Sequence, residues 1–142
     1  METKNFDRKK LIKIAIENQK NSYAPYSSYN VSAALLTSSG KIYTGVNVEN
    51  ASYPAGVCAE RTAICKAVSD GEREICAIAI VGGKNYTVKD FCAPCGICRQ
   101  TMREFCDPKK MCVIFAKSQD EYKELSLDEL LPESFGPDAL SK

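Results

Sequence analysis

The sequence predicts an α/β protein, a three-layer α/β/α sandwich built on a mixed five-stranded sheet, from three observations. Helix-like and strand-like hydrophobic patterns alternate in the order α, β, β, α, β, α, β, β, α, which suits a sheet covered by helices on both faces. One stretch, Ile75 to Val81, is apolar without interruption, as a strand buried on both faces is. The chain of 142 residues carries no repeat, linker or low-complexity tract, so a single domain, 1–142, with one sizeable core is expected.

The elements follow from local chemistry. Phe6, Leu11, Ile14 and Ala15, flanked by Ile12 and Ile16, recur at helical spacing, so Asp7 to Lys20 reads as an amphipathic helix that ends before Ala24-Pro25. Tyr29 to Leu36 is β-branched, small or apolar; Ser39-Gly40 supplies a turn and Lys41 to Val48 returns as the second strand of a hairpin. Cys58 to Ser69 contains good helix formers with Ala63, Ile64 and Ala67 on one stripe, and Gly71 stops it. Gly82-Gly83 is expected to close the central strand that starts at Ile75. Pro94 suits the mouth of a helix, so Cys95 to Phe105 is a third helix. Met111 to Ala116 and the weaker Tyr122 to Leu125 complete the strands, and Leu127 to Leu131 is a short helix ended by Pro132.

Composition narrows the function. Nineteen basic residues against eighteen acidic give a net charge of +1 with no block of like charge, which disfavours a nucleic-acid partner. The charged start, Met1 to Lys10, has no apolar run behind it and no stretch approaches a membrane span, so a cytoplasmic protein is expected. Eight cysteines in that setting argue for metal binding or catalytic thiols rather than disulfides. Histidine is absent, so any chemistry runs on thiolates and carboxylates.

Two short motifs carry that chemistry. Cys95-Gly96-Ile97-Cys98 opens one helix, and residues three apart share a face, so both sulfurs can aim at one point. Cys58-Ala59-Glu60 opens another, where a sulfur and a carboxylate can be directed into a common space before regular helix geometry sets in. Helix N-termini favour thiolates, and two such mouths facing each other make a cation site. Three protein ligands on tetrahedral zinc leave the fourth position for water, the pattern of a catalytic site. Three thiolates weaken the metal's pull on that water, so a nearby base is needed; Glu60 is placed to be it, with Arg61 as the cation that drains charge from sulfur. The alternative is that Glu60 and Arg61 form a solvated surface pair.

At these residues the chain resembles the short, homotetrameric, zinc-dependent cytidine deaminases. The resemblance is carried by Tyr23-Ala24-Pro25-Tyr26-Ser27, Gly45-Val46-Asn47-Val48-Glu49-Asn50-Ala51-Ser52-Tyr53, Val57-Cys58-Ala59-Glu60-Arg61-Thr62-Ala63, Ala93-Pro94-Cys95-Gly96-Ile97-Cys98-Arg99-Gln100 and Glu129-Leu130-Leu131-Pro132, nearly the length of the chain. It implies one zinc ion per subunit on Cys58, Cys95 and Cys98, with Arg61 and Gln100 behind the ligands. Glu60 would shuttle protons and recognise ring N3 and the amine, while activated water attacks C4 and ammonia leaves. It further implies a free pyrimidine nucleoside, cytidine or 2'-deoxycytidine, as substrate in pyrimidine salvage.

By the same resemblance Asn47 and Glu49 would hydrogen-bond the ribose 3'-hydroxyl, the Ala59 backbone would meet the pyrimidine edge, and Tyr53 would line the pocket. Tyr29 occupies a position where the family commonly has Phe beneath the base. Phe135 matches an aromatic that relatives insert into a neighbouring subunit's active site, so the implied assembly is a homotetramer with shared sites. Alternatives stay open for a turn-capping Asn47 with a solvated Glu49 and for a Phe135 packed in its own core.

Other classes compete. Cys92, Cys95 and Cys98 are spaced like part of an iron-sulfur ligand set, but Cys106, eight residues on and followed by Asp107-Pro108, does not continue it. A structural zinc module would need Cys65 or Cys92 to close the shell, and a thioredoxin-like role for Cys95 and Cys98 lacks its strand context. Within deamination, a nucleoside antibiotic or a base in a polynucleotide are the other substrates; the absence of a basic aromatic strip argues against a strand.

Overall fold

The computed structural model describes residues 5–140, so residues 1–4 and 141–142, at the ends of the expected domain, lie outside the described residues. Helix α1 spans Arg8–Asn18, capped by the Asp7 carboxylate on the Lys10 N–H, and tightens into a 3₁₀ turn at Gln19–Asn21. Strands β1 (Tyr29–Thr37) and β2 (Ile42–Val46) form the expected hairpin. Helix α2 (Ala59–Ser69), strand β3 (Ile75–Lys84), helix α3 (Gly96–Arg103), strands β4 (Cys112–Ala116) and β5 (Tyr122–Ser126), and helix α4 (Leu127–Leu130) follow in order.

The sheet order is β2-β1-β3-β4-β5, antiparallel except for the parallel β3/β4 pair. Period-two alternation splits the core between its faces. Ala34, Leu36, Ala77, Ala79, Val81 and Ile114 pack under Leu11, Ile12 and Ala15 of α1. Ala33, Leu35, Ile78, Ile80, Val113 and Phe115 face Ala63, Ile64 and Ala67 of α2 and Met102 of α3. The expected three layers and mixed five-stranded sheet are therefore present. Among the described residues no helix is long and apolar enough to cross a membrane.

Glycine chemistry fixes how closely the layers approach. A Cβ on Gly45 of β2 would stand 2.4 Å from the Ala59 carbonyl oxygen and 2.4 Å from the Ala63 nitrogen, so its absence lets the start of α2 lie directly on the sheet. The sequence-based expectation that Gly82-Gly83 closes the central strand is corrected. Both glycines remain in β3, opposite Val31 and Asn30, and the strand runs on to Lys84. They are there for close approach, since a Cβ on Gly83 would meet the Thr87 carbonyl oxygen at 2.1 Å and one on Gly82 would meet the Cys92 Sγ at 2.8 Å. A 3₁₀ turn at Tyr53–Ala55, unforeseen from the sequence, leads into α2.

Candidate metal centre and active site

Cysteines occupy the N-cap positions of both site helices. Cys58 caps α2 and Cys95 caps α3, each with extended backbone and no side-chain cap hydrogen bond. Their sulfurs are thus turned away from the helix mouths' own N–H groups toward each other, and Cys98 joins them from one turn inside α3. Cys58 and Cys95 Sγ lie 3.9 Å apart, Cys95 and Cys98 Sγ 3.5 Å, and all three fall within 4.8 Å of one another. Tetrahedral zinc with bonds of about 2.3 Å holds thiolates about 3.8 Å apart, so the donor set and its spacing fit zinc. Among the described residues no fourth cysteine or carboxylate joins the group, and Cys65 is exposed outside it.

The site is electrostatically prepared for anions. Hydrogen bonding to Cys98, aided by Arg61, draws the Cys58 thiol down to about 5 against the opposing cost of burial. The same contact with Cys58, together with burial, pushes Cys98 upward. Arg61 Nη2 donates to Cys58 Sγ at 3.3 Å, and bonding to that sulfur raises the guanidinium pKa. Its Nε is buried with no hydrogen-bond partner among the described residues. The solvated surface pair that Glu60 and Arg61 could have formed is therefore not what the structure shows.

Glu60, one residue beyond the start of α2, is 4% exposed. Burial, with the Cys58 charge adding to it, raises its carboxyl to about 7, which suits a group that must both take and give a proton. It opens into a cavity of about 330 Å³ also lined by Asn47, Glu49, Ala59, Cys92 and Cys95. A second cavity of about 320 Å³ adjoins it through Glu49 and Gly56 and is lined by Tyr26 and Tyr53, whose rings are tilted with centroids 6.1 Å apart.

Asn47 and Glu49 are fixed by hydrogen bonds of their own. The Asn47 Nδ2 donates to the Tyr29 carbonyl at 2.8 Å, and its Oδ1 accepts from the Val31 N–H at 3.0 Å and from the Ser22 hydroxyl. One N–H of that amide is left for a ligand. Glu49 Oε1 accepts from the Tyr26 and Ser27 N–H groups at 3.0 and 3.1 Å and Oε2 from the Ser27 hydroxyl; bonding to Ser27 lowers its pKa. The structural and the binding readings of this pair are compatible, because the same bonds that shape the loop set the groups at the cavity wall.

Three expected residues stand apart from this cavity. Tyr29 opens β1, and burial, with nearby Cys92 adding to it, pushes its hydroxyl up to about 12. Tyr53 lines the adjoining cavity and is 76% exposed. Phe135 is 62% exposed, so it does not fill its own core. Gln100, expected behind the sulfurs, donates from Nε2 to the Phe135 carbonyl at 2.8 Å, and Arg103 holds Ser134 Oγ at 2.9 Å and Asp138 at 2.8 Å. No motif marks Ser22, and the sequence offers Cys92 only as part of an iron-sulfur set or as a fourth zinc ligand, whereas it lines the cavity; the glycine at position 82, where a strand residue needs a side chain, is the available signal.

Comparison with known proteins agrees with this geometry. Residues 6–115 match the family model described as the cytidine and deoxycytidylate deaminase zinc-binding region. A cytidine deaminase of Halalkalibacterium halodurans is 45% identical over 129 residues, covering 91% of this chain and 94% of the relative. One from Sporosarcina psychrophila is 42% identical over 135 residues, covering 95% and 96%. The crystal structure of cytidine deaminase from Burkholderia pseudomallei superposes with a TM-score of 0.82 at 41% identity, covering 92% of this chain and 100% of that one. With three sulfurs at zinc spacing, a buried glutamate beside them and a family match over most of its length, the chain belongs to the cytidine and deoxycytidylate deaminase zinc-binding family.

Proposed function

We propose that this protein hydrolyses the exocyclic amine of cytidine and 2'-deoxycytidine, giving uridine or 2'-deoxyuridine and ammonia, with one zinc ion on Cys58, Cys95 and Cys98. The observation that carries the reading is the buried Glu60 carboxyl, set at the mouth of the helix that supplies one sulfur and open to a cavity of nucleoside scale. When bound, zinc supplies the Lewis acidity that makes a water nucleophilic near neutral pH.

The chain's own groups handle the protons. Glu60 takes a proton from the attacking water and delivers it to N3 as oxygen bonds to C4. It then takes the second water proton and passes it to the amine nitrogen, the C4–N bond breaks, and ammonia leaves; Glu60 ends as it began. Asn47 donates its remaining N–H to the 3'-hydroxyl oxygen while Glu49 accepts that hydroxyl's proton, so a group that both donates and accepts is read. The Ala59 backbone meets the pyrimidine edge, and Arg61 drains charge from the Cys58 sulfur. Tyr29, outside the cavity lining but two residues before Val31 in β1, reaches the face beneath the base when a nucleoside binds.

The active form is a homotetramer in which Phe135 completes a neighbour's site, and Tyr53 lines the pocket. Exposed Tyr26, Tyr53, Ile97 and Phe135 support this, since isolated surfaces do not favour four such side chains. Eight free cysteines suit a reducing cytoplasm, where the reaction serves pyrimidine salvage. Metal analysis and a cytidine assay on one preparation test the proposal: one zinc per chain and loss of the cytosine absorbance are expected. A zinc-loaded protein that leaves both cytidine and 2'-deoxycytidine unchanged refutes it.

A further inference from the structure

We propose that Cys92, seated against Gly82 and beside Tyr29, is the specificity-determining residue for the 5-position of the pyrimidine ring, setting how large a substituent the site admits there. The inference rests on the cytidine reading above and concerns a residue which that reading leaves without a role.

Ring chemistry places Cys92. C4, the carbon that is attacked, faces the three sulfurs, and its ring neighbours N3 and C5 lie to either side. N3 is polar and turns to the α2 mouth, where Glu60 and the Ala59 backbone stand. The sugar on N1, across the ring from C4, goes to Asn47 and Glu49. C5 is then left facing the opposite wall, the segment that leads into α3, whose cavity-lining residues before Cys95 are Cys92 and Ala93.

The position of the thiol is built into the sheet. Gly82 pairs with Val31 across β3 and β1, and a Cβ at Gly82 would stand 2.8 Å from Cys92 Sγ and 3.2 Å from Val31 Cγ2. The side chain that β3 omits is therefore the seat Cys92 occupies, with Val31 beside it on the cavity wall. Tyr29, two residues before Val31 and on the same face of β1, stands near enough for the Cys92 sulfur to act on its hydroxyl. A thiol is small and polarisable, suited to a C–H or a small apolar group and a poor fit for charge. A larger side chain at 92 outgrows that seat toward the cavity, and a side chain at 82 takes the seat from the thiol.

The test compares kcat/KM for 5-methylcytidine and 5-iodocytidine with that for cytidine on the zinc-loaded full chain, so that each variant is its own reference. Cys92→Ala is expected to raise both ratios about tenfold and Cys92→Leu to lower them by a similar factor, the usual worth of a methyl-sized change in an apolar pocket. Gly82→Ala should act like Cys92→Leu by driving the thiol into the cavity, and Gly82→Ala combined with Cys92→Ala should restore the ratios. If Gly82→Ala does not fold, the opposed pair at Cys92 still decides. Ratios within about twofold of the parent in both Cys92 variants overturn the inference while leaving cytidine deamination standing. A parent chain that fails to deaminate cytidine overturns the underlying reading and this inference with it.

Discussion

Arg61 Nη2 lies 3.3 Å from Cys58 Sγ, one helical turn further along α2, and the guanidinium meets sulfur where surface arginines usually meet carboxylate. A cation in that position lowers the cost of gathering three thiolates. Arg61→Gln is expected to weaken zinc retention about 10–100-fold, the usual cost of losing a group that supports a metal ligand, as read by competition with a chromogenic chelator. Unchanged retention would show that the contact is incidental.

Glu60→Gln keeps the shape of the side chain and removes its capacity to carry a proton. Zinc content should stay near one per chain while kcat falls by about 10²–10⁴-fold or more. Residual turnover near the parent's would assign the proton transfers elsewhere.

Glu49→Gln should raise KM for cytidine more than it lowers kcat, because in the proposed reading the group binds the sugar and does not touch the reacting carbon. Its discrimination against 3'-deoxycytidine should shrink in parallel. The bond from Ser27 lowers the Glu49 pKa, so the anion and its hydrogen bonds persist at and above the ordinary carboxylate range and are lost only as pH falls through the lowered value. KM measured across the acid side should therefore rise later than for a free carboxylate.

Gly45→Ala places a methyl group 2.4 Å from backbone at Ala59 and Ala63, which no rotamer relieves. Overpacking of this kind costs about 1–3 kcal/mol or more, visible in thermal melts followed by circular dichroism. Activity should fall further than stability, since the displaced segment carries Cys58 and Glu60.

Arg8 and Glu124 pair across the α1 face, and bonding to Arg8 lowers the Glu124 pKa. A depressed carboxylate contributes stability that is full above its unfolded value and is lost as pH falls through its folded value. Glu124→Gln should remove up to about 1 kcal/mol at neutral pH and flatten the acid limb of the stability curve, whereas no change in that limb would show that the pair is isoenergetic with water.

Much of this was legible in the sequence because the patterns were local. The uninterrupted apolar run Ile75 to Val81 marks the central strand directly, and the spacing of Cys95 and Cys98 needs only helix geometry. The meeting of Cys58 with that pair was legible only as a combination of motifs. What escaped depended on partners distant in sequence. Gly82 reads as a turn until Cys92 is seen filling its space, and Gln100 reads as support for the sulfurs until Phe135 arrives from the end of the chain. Ser22 is one of many serines, and nothing nearby announces its bond to Asn47.

Helix α3 serves two masters along eight residues: its first turn presents sulfur, and its Gln100 and Arg103 grip the tail that displays Phe135. Each residue advances a helix by about 100°, so one insertion between Cys98 and Gln100 would swing one set of side chains a quarter turn or more from its target. The length of this helix is consequently pinned from both ends, and variation among descendants of this chain has to accumulate in the loops around it.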